Sequence, residues 1–274
     1  MKNVNRIIFT LIISSFLFSC KKDDDKDAVK PKVSSAIGFV TPKDEFGYPE
    51  DDKSGFVAEL VGTGKSSTTN EAGKFSFDNL TEGYYLLKIS KSGYSTYQTQ
   101  WTISTAGGNE PFQNSQTSLL KVSSTIIANP VVTITNNSLS IYSDSVISVS
   151  ADVLNATTVS GYSSYNPEQR GIAIYFDTVN TVSNSKYLNY TNVFPSSLSS
   201  IKATWSPSIN NFKRDYKLKS SSKVYFKIYG ISSSQNYNNY NYNDVNGYTD
   251  PDTRLYIRTN LAPNPSEVIE VTIP

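Results

Sequence analysis

TTNEAGKFSFDNLTEGYYLLKISKSGYSTY, Thr68 to Tyr97, is the stretch whose pattern decides the fold. Asn70-Glu71-Ala72-Gly73 reads as a hairpin turn, with Gly73 free to take a positive φ. Phe75 and Phe77 then alternate with Lys74, Ser76 and Asp78, which puts both rings on one side of an extended strand. Asp78 to Gly83 breaks the run. Beyond it Tyr85, Leu87 and Ile89 face a core, while Tyr84, Leu86 and Lys88 face the other way. Ser92-Gly93 turns the chain again before Tyr94. Period two, short runs and turn residues between them describe antiparallel strands with one buried face.

The same texture continues outward. Ser, Thr, Asn, Tyr and Val dominate, Tyr reaches 19, and apolar residues mostly alternate without recurring at helical spacing. The fold class expected is all-β: two tandem antiparallel β-sandwich domains behind a lipoprotein signal peptide. The layout expected is a signal peptide over 1–19, a charged tether over 20–33, a first sandwich over 34–105, a linker over 106–116 and a second sandwich over 117–274. The linker assignment rests on AGGNEPFQNSQ, rich in Gly, Asn and Gln and holding Pro111.

The first sandwich resembles the carboxypeptidase regulatory-like domain, a small transthyretin-like sandwich. The resemblance rests on Ile37-Gly38, Gly62-Thr63-Gly64, Gly73-Lys74-Phe75, Gly83-Tyr84-Tyr85-Leu86-Leu87 and Gly93-Tyr94. It implies a structural or accessory module, grouped with carbohydrate-binding-like folds, that carries no catalytic residues of its own. Tyr94, Tyr97 and Trp101 either form an exposed aromatic face or pack within the sandwich, and packing is the favoured alternative. Asp44, Glu45, Glu50, Asp51 and Asp52 either chelate Ca²⁺ or form a solvated loop. They lack ordered ligand spacing, which favours the loop.

Nine strands are expected in the second domain: Val131–Ile134, Val146–Leu154, Gly171–Thr178, Lys186–Thr191, Ile201–Trp205, Phe212–Leu218, Lys223–Ile231, Arg254–Thr259 and Val268–Ile273. Lys223 to Gly230 resembles the penultimate strand of fibronectin III-like domains, which implies an immunoglobulin or fibronectin III-like sandwich. Two polar aromatic loops interrupt it. Gly161 to Arg170 carries Tyr162 and Tyr165, and Ser232 to Asp252 carries Tyr237, Tyr240, Tyr242 and Tyr248. A loop this long inside a domain is either a binding loop or low-complexity disorder. Tyr supplies rigid amphipathic area while Ser, Asn and Gly supply adaptable hydrogen bonds, so these six tyrosines are the candidate ligand-binding residues. Asp244, Asn246, Asp250 and Asp252 either hold Ca²⁺ or stand as loop polar residues; their spacing matches no known Ca²⁺ loop, and no metal or cofactor is expected.

At the other end of the chain, Lys2 and Arg6 precede an apolar run of 12 residues, Ile7 to Phe18. That is too short to span a bilayer and has the form of a secretory signal. Leu17-Phe18-Ser19-Cys20 resembles the lipobox of bacterial lipoproteins, which implies cleavage before Cys20, acylation of its sulfur and a membrane partner through the lipid. Lys21 to Asp27, KKDDDKD, cannot join a core and reads as a solvated tether. A Lys-then-acidic run resembles the export signal of surface-exposed lipoproteins in Gram-negative bacteria, implying an outer-membrane, cell-surface location. A periplasm-facing lipoprotein with a charged spacer is the alternative.

Composition narrows the chemistry. Histidine is absent and Cys20 is the single cysteine, which leaves no Ser-His-Asp triad, no Cys-His pair and no His-ligated metal. Ser/Lys dyads and paired carboxylates are the common catalytic options left, and no convergent pair is visible. Net charge is +1, and without Lys2 and Arg6 it becomes −1, so nothing attracts nucleic acid. The function expected is a non-catalytic, lipid-anchored surface protein that binds carbohydrate or another cell-envelope component. The alternative is a structural or accessory subunit of an envelope complex with no small ligand.

Overall fold

β1 (Ser34–Lys43) is the central strand of the first of two sandwiches. It is followed by β2 (Val57–Leu60), β3 (Lys65–Thr68), β4 (Lys74–Leu80), β5 (Gly83–Ser90), β6 (Tyr97–Ile103), β7 (Gly108–Pro111) and β8 (Thr117–Leu120). The structure is a computed structural model. It describes residues 33–103, 108–112, 117–135, 145–155, 169–195, 201–232, 244–245, 247–249 and 256–274, all within one unit, Val33–Pro274. One sheet runs β8-β1-β4, with β7 beside the N-terminal half of β1 and β8 beside its C-terminal half, both parallel to it. The other runs β3-β2-β5-β6 and is antiparallel throughout. The strand alternation read from the sequence holds. Phe75, Phe77, Leu87 and Ile89 are buried between the sheets, Tyr85 is partly buried against them, and Tyr84 stands 75% exposed on the outer face. Tyr97 and Trp101 are core residues, stacked edge-on with Phe112 and Phe77.

The turn at Asn70 forms as expected. Asn70 Oδ1 accepts from the backbone N–H of Ala72 and Lys74, and Gly73 sits at φ 76°, a left-handed conformation that glycine adopts without a Cβ penalty. The expected hairpin does not follow, because β3 and β4 lie in different sheets. The turn carries the chain across the sandwich. The stretch read as a linker contributes to the same sandwich: Gly108–Pro111 is β7, and Phe112 fills the core.

The second sandwich is built from β9 (Ile127–Thr135), β10 (Val146–Val153), β11 (Arg170–Asp177), β12 (Asn189–Val193), β13 (Lys202–Trp205), the helix α1 (Ile209–Tyr216), β14 (Lys223–Ser232) and, near the C-terminus, β18 (Ile269–Thr272). Between β14 and β18 come three short strands, β15 (Asp244–Val245), β16 (Gly247–Thr249) and β17 (Tyr256–Arg258). Sheet β13-β10-β9 faces sheet β12-β11-β14-β18 across a core of Ile147, Val149, Ile172, Ile174, Phe176, Val224, Phe226 and Ile228.

One expected strand is absent. Phe212 to Tyr216 is the end of α1, with Lys217 its cap, not an extended run. Ile209, Phe212 and Tyr216 share a helical face and pack into the core. Ser208 caps the start by accepting from Asn211 N–H, and Lys217 in the left-handed region ends it. Among the described residues no helix is long and apolar enough to cross a membrane.

Candidate binding site at the roots of two loops

Arg170 opens β11 and Ser232 closes β14, and the two stand opposite each other in the antiparallel ladder. The loops that carry Tyr162 and Tyr165, and Tyr237 to Tyr248, therefore leave from neighbouring strand ends. What holds those ends is a residue of the first sandwich. Glu45 Oε1 lies 2.7 Å from Arg170 Nη2 and accepts from Ser124 Oγ at 2.7 Å. Its Oε2 accepts from Ser124 N–H and from Ser232 Oγ, each at 2.7 Å. The guanidinium also sits over the Phe46 ring, 4.7 Å from its centroid.

The segment between the sandwiches is wedged into this network. Ser123 Oγ is 2.8 Å from Ser232 Oγ, and Thr125 Oγ1 donates to Ile231 O at 2.8 Å. Asn155 brackets it, accepting from Ile126 N–H and donating to Ser124 O. Gly230 makes the approach possible: a Cβ there would lie 2.6 Å from Thr125 O. Burial opposes ionisation of Glu45, but the Ser232 and Ser124 donors and the Arg170 charge outweigh it and hold the carboxyl below its usual value. Charged hydrogen bonds of this kind are the strong ones, so both loop roots are fixed to the first sandwich.

The return of the longer loop is fixed to the first sandwich too. β15 adds to β8 in parallel register, Asp244 opposite Ser118 and Val245 opposite Leu119. Thr96 N–H donates to Thr259 Oγ1 at 2.7 Å, and Ser123 N–H to Asn260 O at 2.9 Å. β15, Thr259 and Asn260 thus tie the second sandwich to the first.

Of the candidate residues, Tyr162, Tyr165, Tyr237, Tyr240, Tyr242 and the lipidation residue Cys20 lie outside the described residues. Tyr248 lies in β16, opposite Ile257 of β17. The acidic loop is described in full, and most of its carboxylates are engaged by protein donors. Asp44 accepts from the backbone N–H of Phe46 and Tyr48, and Glu50 pairs with Lys121 and Tyr94. Asp52 is held down to about 2 by Ser54 and Lys91. These bonds make Asp44, Glu45, Glu50 and Asp52 ties within the protein. Among the described residues no group of three or more His, Cys, Asp or Glu could hold a metal ion.

A second cluster escaped the sequence reading. On the outer face of β12-β11-β14 the Tyr175 ring stacks on Tyr190 at 5.3 Å and 18°, with Tyr187 and Tyr229 edge-on to it at 5.1 and 5.4 Å. The signal was present as strand alternation: Tyr175 in β11 and Tyr229 in β14 point away from the main core. Burial pushes the Tyr175 hydroxyl pKa up, and its Oη is enclosed without a hydrogen-bond partner. A buried unmade hydrogen bond costs about 1–3 kcal/mol. Tyr175→Phe is therefore expected to stabilise the protein by about 1 kcal/mol, read as a higher urea midpoint at unchanged slope.

No protein-family model matches the chain, and no curated protein matches it. Similar solved structures include a candidate carbohydrate-binding protein from Bacteroides uniformis. It is 14% identical, with 87% of this chain and 98% of that chain covered, at a TM-score of 0.31. A DUF3823 family protein from Parabacteroides merdae is 13% identical, covers 88% and 100% respectively, and has a TM-score of 0.30. A type II cohesin–X–dockerin complex from Acetivibrio cellulolyticus is 25% identical over 34% of this chain, at a TM-score of 0.27. The chain spans 61% of that structure's length.

Proposed function

We propose that the protein is a lipid-anchored, non-catalytic binding protein of the cell surface whose ligand is a carbohydrate of the envelope or its surroundings. The observation that carries this reading is the common root of the two tyrosine-bearing loops. Arg170 and Ser232 are adjacent, and Glu45 clamps both to the first sandwich. Loops held at their roots by a rigid scaffold are the usual carriers of binding residues. The residues on these loops are Tyr and Asn, which suit C–H faces and hydroxyl rims of sugars. The absence of histidine and the position of the single cysteine at residue 20 support a non-catalytic role. The resemblance of the first sandwich to carboxypeptidase regulatory-like domains supports it as well.

Tyr240→Ala combined with Tyr242→Ala is expected to abolish glycan binding while the melting temperature stays unchanged. Retained binding by the folded double variant would place the site elsewhere. The anchor is tested separately. Cys20→Ala should leave the protein unprocessed, or soluble without detergent, since a charged tether has no affinity of its own for a bilayer. Normal processing with unchanged detergent dependence would remove the lipid from this reading.

A further inference from the structure

We propose that Tyr187, Tyr190 and Asn192 form a ledge that binds the neutral hexose units of a glycan chain. The proposal rests on the binding reading above and gives it a ligand class. It names residues outside the two loops.

The ledge is built on the outer face of the β12-β11-β14 layer. Strand alternation brings Tyr190 and Asn192 from β12, Ala173 and Tyr175 from β11, and Tyr229 from β14 to this face. Tyr175 is fully buried and serves as the floor. Tyr190 stacks on it, and Tyr187 stands edge-on to both, 5.6 Å from Tyr190. Tyr187 and Tyr190 themselves are only partly covered. Their rings are thus held in place before any ligand arrives, which removes most of the ordering cost of binding.

The polar rim is oriented in the same way. Asn192 is exposed, and its Oδ1 accepts from Arg258 Nη1 at 3.3 Å. That bond fixes the amide plane and turns Nδ2 into a donor of known direction. Arg258 is buried and also donates from Nε to Asn260 Oδ1 at 2.8 Å. The surface therefore presents an amide over the guanidinium. The strand charges on this sheet face offset one another, Asp177 and Glu270 against Lys223 and Lys227. The Arg258 guanidinium is buried, with Nη1 and Nε donating to amide oxygens, and is not presented to a sugar carboxylate. A neutral pyranose offers what the ledge can use: an apolar C–H face for the rings and hydroxyls for the amide.

The ledge is also continuous with the loop roots. Arg258 lies in β17, the return strand of the longer loop, and its carbonyl accepts from Asn184 Nδ2 at 2.8 Å.

The test is native affinity electrophoresis of the purified full chain in gels containing one polysaccharide each. The neutral set is a β-glucan, an α-mannan and a galactan, and the acidic one a polygalacturonate. The wild type is expected to be retarded by at least one neutral polymer, with no change on added salt. Tyr190→Ala and Asn192→Ala should each weaken that retardation about tenfold. Asn192 is exposed, so its variant tests the ledge even if Tyr190→Ala fails to fold. Retardation of both folded variants equal to the wild type would overturn the ledge and leave the binding reading standing. Retardation by the acidic polymer alone would overturn the neutral class. No retardation by any polymer would overturn both readings.

Discussion

Phe176→Ala is expected to destabilise the protein by about 3–5 kcal/mol, the range for removing a buried aromatic ring. Phe176 is the hub of the second core. It touches Trp205 of β13, Phe212 and Tyr216 of α1, and Phe226 of β14, with ring centroids 4.8 to 5.8 Å apart. These contacts link both sheets and the helix. Trp205 and Tyr216 are wedged edge-on against Phe212, which limits collapse into the space left behind, and the cavity cost adds to the lost burial. A chemical melt of wild type and variant gives the difference directly. A loss within about 0.5 kcal/mol, as at surface sites, would mean that this layer is not packed as described.

Glu45→Ala is expected to cost about 3 kcal/mol, the lower end of the range for breaking a buried ion pair by removing one partner. The two side chains of the Arg170–Glu45 pair are 15% and 13% exposed. The variant leaves the guanidinium and three hydrogen-bond donors facing an apolar methyl. Glu45→Gln should lose less, because the amide oxygen still accepts. The pH dependence follows from the depressed carboxyl. A group whose folded value lies below its unfolded one, about 4.3 for Glu, stabilises fully above that unfolded value. The stabilisation is lost as pH falls through the folded value. The gap between wild type and Glu45→Gln should therefore be constant near neutrality and close on acidification below about pH 4. The Ala variant should also lose glycan binding, because both loop roots come free of the first sandwich. A stability gap that widens in acid would contradict the latch.

The strands of the first sandwich were legible because each carries a one-sided alternation. Phe75, Phe77, Leu87 and Ile89 could be assigned to a core from spacing alone. The sheet partners of those strands were not legible. The turn at Asn70 specifies a reversal, but whether β4 pairs with β3 or with β1 is decided by packing across the sandwich. Helix α1 was misread because Phe212 to Leu218 alternates over a short window. The pattern at Ile209, Phe212 and Tyr216, together with Ser208 just before it, marks the helix once the window starts earlier. The latch was out of reach. Glu45 stands in an acidic loop that looks solvated, and its partner is 125 positions away. The tyrosine cluster is of the same kind: Tyr175, the Tyr187–Tyr190 stretch and Tyr229 come from three separate segments, and sheet pairing of β12, β11 and β14 brings them together.

Hydroxyl-radical footprinting, read at every tyrosine with and without saturating glycan, tests the central claim most directly. The expected result is protection of Tyr240 and Tyr242 with Tyr187 and Tyr190, while Tyr84, 75% exposed on the outer face of β5 in the first sandwich, reacts equally in both states. Protection of Tyr84 with no change at the loop and ledge tyrosines would contradict a glycan site on the second sandwich.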